Sequence, residues 1–563
     1  MRQSSKGTLM SSPSAPNTLT RMSAAAPTAP LAWTGERMVP NASDLVTEAF
    51  HWQRYTFFRP WYAGARVIDA ASGEGYGTAY AALFAIDALG IDVDSQAVSH
   101  AAARYPRARF ATADVSDFDY SGADLVLSFE TIEHVPDPAA FLASLNRCKG
   151  TIVVSTPNRR KHSPGNSVDD KPWNEYHTVE WTPEEFAVLV QASFPNRNVR
   201  FLSQEDRWPG IIQPGLDPEA RYTIAVIDGG ELPEWPRIGL AMPCCGETEA
   251  AAVACTRLSM HYPGRLQVSL VAQGCEEEGL TRLRTESQTI PHVIDLVETP
   301  KNLGYGQGAN LALQRLREKG FDLYGVTNDD VIPAPDCLPQ LAAAAQGLEA
   351  AGHKVGMIGP VSNEISGEQR VQIGGYSTLP EMHDRALAWG SERHSHVDCV
   401  AQVRGLFFLM SQECLDTVGG FDPIFGLGNF EDDDLNLRCR LGGFPLWTAP
   451  GAFLHHVGSS SFKRLDLDYE DGMARNLALF LEKWQTEEFG EAMSRAALPD
   501  GLDPFVALDA KPPRSAHLIS INGAPVDLVH QASEIDLASW IVTKLRDKPR
   551  EARIALLDAL AKV

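Results

Sequence analysis

The sequence predicts two successive α/β domains, each a sheet covered by helices. Short apolar runs alternate with helix-compatible stretches, the pattern of strands buried beneath helices. That alternation is interrupted once, by the proline-bearing segment Glu231–Pro236, and then begins again. The length agrees, because 563 residues exceed what one hydrophobic core holds.

Residues 1–31 are rich in Ser, Ala, Pro and Thr and lack the apolar stretch of a secretory signal, so they read as a flexible tail. The first domain is expected over residues 32–230. Ala65–Ala71, Ala85–Ile91, Ala123–Phe129 and Thr151–Thr156 read as buried parallel strands, with helix-compatible segments such as Pro138–Cys148 between them. Thr182-Pro183-Glu184-Glu185 supplies a capping residue, Pro at the first helical position and a Glu for a capping box. Val199–Trp208 and Arg221–Asp228 read as a closing pair of strands.

Residues 231–236 read as a linker, because two prolines disfavour regular structure. The second domain, residues 237–490, opens with Ile238–Met242, continues through Val268–Ala272 and Leu323–Thr327, and closes with the helix Ala474–Trp484. Residues 491–563 are expected as a C-terminal helical extension, on the strength of the amphipathic stretches Glu534–Arg546 and Arg550–Ala561. Their packing on the second domain and their docking to a partner or membrane are both open.

The composition is that of an ordinary globular protein, 44% hydrophobic and 21% charged. A formal net charge of −23 argues against a general nucleic-acid-binding role, since an acidic surface repels phosphate backbones. No run approaches the roughly 18–20 apolar residues that span a bilayer, so no transmembrane segment is expected and only peripheral membrane association stays open. The nine cysteines form no CxxC pair and fit reduced thiols in a cytoplasmic protein.

In the first domain, Val67-Ile68-Asp69-Ala70-Ala71-Ser72-Gly73-Glu74-Gly75-Tyr76-Gly77-Thr78 runs a strand through a glycine-rich turn into a helix. Glycines let such a turn bend tightly and let a ligand approach the backbone. A carboxylate follows at a strand end, Asp92 in Gly90-Ile91-Asp92-Val93-Asp94, suited to accept ribose hydroxyls. A dinucleotide site shares these two features. Two others favour S-adenosylmethionine: Ala113-Asp114-Val115 at the end of the next strand, and Phe129-Glu130-Thr131-Ile132-Glu133-His134-Val135-Pro136 after the fourth.

Together with Trp33-Thr34-Gly35-Glu36-Arg37 and His51-Trp52-Gln53-Arg54-Tyr55, these segments resemble the class I S-adenosylmethionine-dependent methyltransferases over about residues 33–228. The resemblance implies a Rossmann-like domain. Gly73, Gly75 and Gly77 would surround the methionine portion of the cofactor, Asp92 the ribose and Asp114 the adenine. Asp69 would support the turn, or merely satisfy local backbone amides. Deprotonation of a hydroxyl acceptor would fall to His134, with His177 as second candidate. Glu130 and Glu133 with His134 form an alternative metal set.

In the second domain, Asn302-Leu303-Gly304-Tyr305-Gly306-Gln307-Gly308-Ala309-Asn310 precedes a helix, and the strand Leu323–Thr327 ends at Asn328-Asp329-Asp330. Carboxylates at a strand end suit Mg²⁺ or Mn²⁺, hard cations that prefer oxygen ligands. Downstream lie Arg404-Gly405-Leu406-Phe407-Phe408, Gly419-Gly420-Phe421-Asp422-Pro423, Phe430-Glu431-Asp432-Asp433-Asp434-Leu435-Asn436-Leu437-Arg438, His455-His456-Val457-Gly458-Ser459 and Lys483-Trp484.

This order resembles the family 2 glycosyltransferases of GT-A fold, over about residues 237–486. The resemblance implies inverting transfer from a nucleotide-sugar donor to a glycan or glycoconjugate acceptor. Asp330 would ligate a divalent cation with Asp329 assisting, and Asp432 would be the base. Asn302, Gly304, Glu431 and Asp434 would shape the donor and acceptor sites. One of His455 and His456 would complete the metal or diphosphate site, with His456 preferred. The chain departs from the family at Ala272-Gln273-Gly274-Cys275-Glu276-Glu277, where relatives carry Asp-Asn-Gly-Ser-x-Asp. The reading is therefore a bifunctional glycan-modifying enzyme. Its alternative is an active methyltransferase whose GT-A domain is a recognition module.

Overall fold

The computed structural model describes residue 31 and residues 37–511 apart from 41, 247, 291 and 459–468, together with residues 518–521 and 524–527. Residues 1–30, where a tail was expected, lie outside the described residues, as do both C-terminal amphipathic stretches. Of the region expected to be helical beyond residue 490, the described part includes an antiparallel ribbon, Leu518–Ile521 with Ala524–Asp527. The short helix Phe489–Met493 runs into the start of this region.

The first half is Rossmann-like. Its strands are β1 (Arg66–Ala70), β2 (Asp87–Asp92), β3 (Arg109–Thr112), β4 (Leu125–Ser128), β5 (Thr151–Pro157), β6 (Val199–Gln204), β7 (Ile212–Pro214) and β8 (Tyr222–Ile227). They form one sheet in the order β3-β2-β1-β4-β5-β8-β6-β7. β1 to β5 pair in parallel, whereas β8 runs antiparallel to both β5 and β6. Side chains alternate between two apolar layers, as strand geometry demands. Val67, Leu125, Leu127 and Val153 face Trp52, Phe58 and Tyr80, while Ile68, Val126, Ile152 and Val154 face Phe141, Leu145 and Phe186. Burial on both faces explains why these strands read as continuous apolar runs.

The helices that frame the first site are α1 (Leu45–Phe57), α2 (Tyr76–Ala81), α3 (Ser95–Arg104), α4 (Pro138–Leu145), α5 (Arg159–His162) and α6 (Pro183–Ser193). The predicted capping box is present at α6: Thr182 Oγ1 accepts from the Glu185 amide, and the Glu185 carboxylate accepts from the Thr182 amide. Residues 231–236 carry no helix or strand. They are nonetheless tied down, with Trp61 Nε1 donating to the Glu231 carbonyl and Trp235 Nε1 to the Phe57 carbonyl, both at 3.1 Å.

The second half has a GT-A-type mixed sheet. Its parallel part is β9 (Ile238–Cys244), β10 (Leu266–Gln273), β11 (Ile294–Thr299) and β12 (Leu323–Thr327), in the order β11-β10-β9-β12. Then come β13 (Val331–Pro333), β14 (Met357–Ser362), β15 (Asp398–Val400), β16 (Phe407–Ser411) and β17 (Leu446–His456). β16 runs antiparallel to β12, and β17 pairs with β14, β13 and β15. The helices are α7 (Thr248–His261), α8 (Glu277–Thr289), α9 (Tyr305–Lys319), α10 (Cys337–Ala350), α11 (Leu379–Gly390), α12 (Gln412–Val418) and α13 (Glu431–Leu441), followed by Tyr469–Lys483. Trp484 packs fully buried against Phe425, Leu437 and Phe480. The carboxyl ends of β9, β10 and β12 open on one edge, where crevices form in α/β sheets.

Candidate active sites

The glycine-rich turn leaves β1 through Ala71 at φ 63° and carries Gly73 and Gly75 at φ 55° and 98° into α2. Gly75 is required twice over, since an added Cβ would also stand 2.6 Å from Ala101 Cβ. A Cβ on Gly77 would penetrate the Tyr55 ring, so Gly77 serves packing. Gly73 alone of the three faces open space, its nearest neighbour being Arg37 Cβ at 4.0 Å.

Asp69 does not satisfy backbone amides. It is buried, accepts from Thr78 Oγ1 at 2.6 Å and from the Tyr55 hydroxyl at 3.1 Å, and so joins α2 to α1. Burial pushes its carboxyl up to about 6 against the lowering effect of these two hydroxyls. Asp92, at the end of β2, accepts from the Gly73 and Asp94 amides, each at 2.9 Å. Asp114 is exposed just beyond β3 and accepts from the Ser116 amide at 2.8 Å. The turn, Asp92 and Asp114 thus lie along one edge of the sheet.

Beyond β4, Glu130 adopts a left-handed φ of 52° and accepts from Ser155 Oγ at 2.7 Å, with Arg54 3.7 Å away. The loop Asn174–Thr178 folds back here, since the Thr178 amide donates to the Glu133 carbonyl at 2.7 Å. His134 and His177 therefore meet edge to face, ring centroids 4.8 Å apart. Burial and the neighbouring His177 depress His134 to about 4, which leaves it neutral but a feeble proton acceptor. His177 has both ring nitrogens engaged, Nδ1 2.6 Å from Glu180 Oε1 and Nε2 3.0 Å from Asn174 Nδ2, which fixes the ring beside His134.

The metal-capable set also differs from the expected one. Glu133, His134 and His177 bring ligand atoms within 4.8 Å of one another, and His177 takes the place given to Glu130. Glu133 Oε1 is buried with no hydrogen-bond partner.

In the second half, a cavity of about 670 Å³ gathers Asn302, Asp329, Asp330, Glu431, Asp432 and His456, with Gln273, Tyr305, Arg404 and Asp433. Asp330 lies 3.2 Å from His456 Nε2, whereas His455 turns away to the Tyr376 hydroxyl at 2.6 Å. Asn302 Oδ1 accepts from the Gly304 amide at 2.9 Å. Gly304 itself sits at φ 87° and backs onto the 426–427 backbone, so it shapes the turn and not the cavity wall.

The acidic run opens α13, where a helix N-terminus favours negative charge. Asn429 and Phe430 precede it at φ 78° and 69°. Asp432 Oδ2 accepts from the Gly405 amide at 3.0 Å, which fixes the carboxylate at the cavity. Burial and the adjacent Asp432 drive Glu431 up to about 8. Asp433 is raised to about 7 by the same two causes, opposed by Arg404 at 3.0 Å.

Asp434, expected at the donor or acceptor site, is placed elsewhere. It is wholly buried behind the cavity, 2.8 Å from Arg438 Nε and 2.7 Å from Lys483 Nζ, and accepts from Trp484 Nε1 at 3.1 Å. It anchors α13 to the helix Tyr469–Lys483. At the atypical position, Gln273 Oε1 accepts from the Leu303 amide at 2.9 Å and holds the Asn302–Gly304 turn. The Arg404–Asp433 pairing joins segments 29 residues apart and carries no signal in local spacing; only the contact reveals it.

Residues 68–152 match the methyltransferase domain family, and residues 236–467 match glycosyltransferase-like family 2. A probable S-adenosylmethionine-dependent methyltransferase of Mycobacterium tuberculosis is 37% identical over 174 residues, covering 29% of this chain and 61% of the relative. Another from Mycolicibacterium smegmatis is 35% identical over 170 residues, covering 28% and 63%. The chain thus spans less than two thirds of these relatives. Among solved structures, an S-adenosylmethionine-dependent methyltransferase from Mesorhizobium loti is 16% identical, covering 33% of this chain and 100% of that one, TM-score 0.26. A mannosyltransferase from Pyrobaculum calidifontis, solved with GDP-Man and Mn²⁺, is 18% identical, covering 59% and 81%, TM-score 0.33. The chain carries a methyltransferase domain followed by a family 2-like glycosyltransferase domain.

Proposed function

We propose that the chain is a two-site transferase of glycan assembly. Its second half transfers a sugar, with inversion, from a nucleotide-sugar to a glycan or glycoconjugate hydroxyl, and its first half methylates a sugar hydroxyl with S-adenosylmethionine. The observation that carries this reading is the convergence of Asp329, Asp330, His456 and Asp432 on one cavity of about 670 Å³.

Asp330, Asp329 and His456 offer oxygen and imidazole donors that suit Mg²⁺ or Mn²⁺. Such a cation supplies charge neutralisation for a diphosphate leaving group. Asp432, held by the Gly405 amide, is the group placed to take the acceptor proton. Glu431, whose carboxyl burial and the adjacent Asp432 raise to about 8 in the metal-free protein, lines the cavity beside that base. In the first half, Asp92 and Asp114 would hold the ribose and adenine and the open face at Gly73 the methionine portion. The cofactor supplies an electrophilic methyl group. One of the paired His134 and His177 takes the acceptor proton, and orientation of the two reactants supplies much of the rate.

The altered Gln273 position supports a second reading, in which the glycosyltransferase half only recognises a glycan. Nucleotide-sugar hydrolysis measured with and without Mn²⁺ separates the two. Mn²⁺-dependent hydrolysis that Asp330→Ala abolishes is expected; hydrolysis indifferent to both would overturn the metal assignment, and none at all would favour the recognition module.

A further inference from the structure

The two halves are joined by more than a linker, and the joining elements are those that build the methyl-donor turn. α1 lies between them. One side of it presents Tyr55 to Asp69 and to Gly77. From the same helix, Gln53 Nε2 reaches the carbonyls of Ser259, Met260 and Tyr262 at 3.1, 3.2 and 2.8 Å. These belong to the end of α7, where helix carbonyls lack intrahelical partners. Gln53 is completely buried, so it caps a helix of the other half away from water.

A second tie is ionic. Asp336 stands at the N-cap of α10, where an Asp ordinarily accepts from its own helix amides, yet it makes no such bond. Its carboxylate instead accepts from Arg59 Nε at 2.9 Å and from the Tyr80 hydroxyl at 2.6 Å. Arg59 follows α1. Tyr80 is on α2, two residues beyond the Thr78 hydroxyl that holds Asp69. α2 has six residues and no side-chain cap, too short to hold its shape without tertiary anchors. One carboxylate of the second half thus holds α2 and the segment that follows α1.

We propose that the glycosyltransferase half is a positioning part of the methyl-donor site, acting through Asp336 on Tyr80 and Arg59 and through the end of α7 on Gln53. This rests on the reading that the first half binds S-adenosylmethionine. It predicts reciprocal linkage: whatever loosens the Asp336 contact weakens cofactor binding, and bound cofactor tightens the contact.

The test uses the full chain and Tyr80→Phe, which removes one hydroxyl and no packing. Calorimetry should show S-adenosylmethionine binding weakened by about fivefold or more, with binding of a nucleoside diphosphate plus Mn²⁺ unchanged. Hydrogen exchange at residues 334–340 and 258–262 should slow when S-adenosylmethionine is added to the wild type, and the slowing at 334–340 should vanish in Tyr80→Phe. Adding Asp336→Asn to Tyr80→Phe should weaken the cofactor further, because it also strips the buried Arg59 of its anionic partner. Wild-type cofactor affinity in Tyr80→Phe, or cofactor protection confined to the first half, would overturn the proposal. A wild type that binds no S-adenosylmethionine would instead defeat the cofactor reading on which it rests.

Discussion

The two sites treat their carboxylates in opposite ways. In the first half, Asp69 is closed off by Tyr55 and Thr78, and Asp92 by two amides, so each charge already has its hydrogen bonds. In the second half, Asp329, Asp330, Glu431, Asp432 and Asp433 crowd one cavity, and crowding with burial lifts Glu431 to about 8 and Asp433 to about 7. Buried like charges resist simultaneous ionisation. The carboxylates of the methyl-donor turn have hydrogen bonds before any ligand arrives, whereas the crowded carboxylates of the second half call for a cation. A carboxylate at a strand end thus serves as scaffold at Asp69 and lines the open cavity at Asp330.

Substitution of the base tests the contrast most severely. Asp432→Asn should lower the rate of sugar transfer by about 10²–10⁴-fold while leaving nucleotide affinity intact, as read by steady-state kinetics beside calorimetry. A near-normal rate would remove Asp432 from the chemistry. Two residues along, Asp434→Ala should act on stability: stripping one partner from a buried ion pair costs about 3–5 kcal/mol. Denaturant unfolding should show that loss, and an unchanged midpoint would contradict the anchoring role.

That pair also shows what the sequence could disclose. Asp432 and Asp434 sit in one acidic run, but two steps of an α-helix turn by about 200°, so one faces the cavity and the other the core. Only packing against Arg438 and Trp484 decides which. The buried strands were legible because burial on both faces leaves an apolar run, as in β1, β4 and β5. Strands of three residues, β7, β13 and β15, carry too little pattern to be seen. The glycine turn was legible, yet its three glycines divide between conformation, packing and open space only in three dimensions. The histidine pair was half legible: both residues stood out, but Glu180, which orients His177, lies outside any motif.

A smaller effect is expected at Gly75. Its φ of 98° is strained for any other residue, so Gly75→Ala should cost about 1–3 kcal/mol, visible as a lower thermal midpoint. Gly73→Ala shares the backbone strain, at φ 55°, but meets open space, so it should cost less stability than Gly75→Ala, which also meets Ala101, and weaken the cofactor besides. Equal destabilisation by both would contradict the packing role of Gly75.

The smallest effect is in the pH dependence of the metal-free protein. Glu431 is raised from 4.5 to about 8, so the folded state keeps a proton that the unfolded chain releases. Its contribution to stability is full below about 4.5 and drains away as pH climbs through about 8. Glu431→Gln should therefore gain on the wild type between those values, and parallel curves of unfolding free energy against pH would contradict the assignment.

The contrast between a hydrogen-bonded methyl-donor turn and a cavity that calls for a cation is tested most directly by calorimetry on the full chain in chelator and again with Mn²⁺. S-adenosylmethionine should bind equally in both, whereas a nucleoside diphosphate should bind only with the cation and not at all to Asp330→Ala. Nucleoside diphosphate bound as tightly in chelator as in Mn²⁺ would contradict the account.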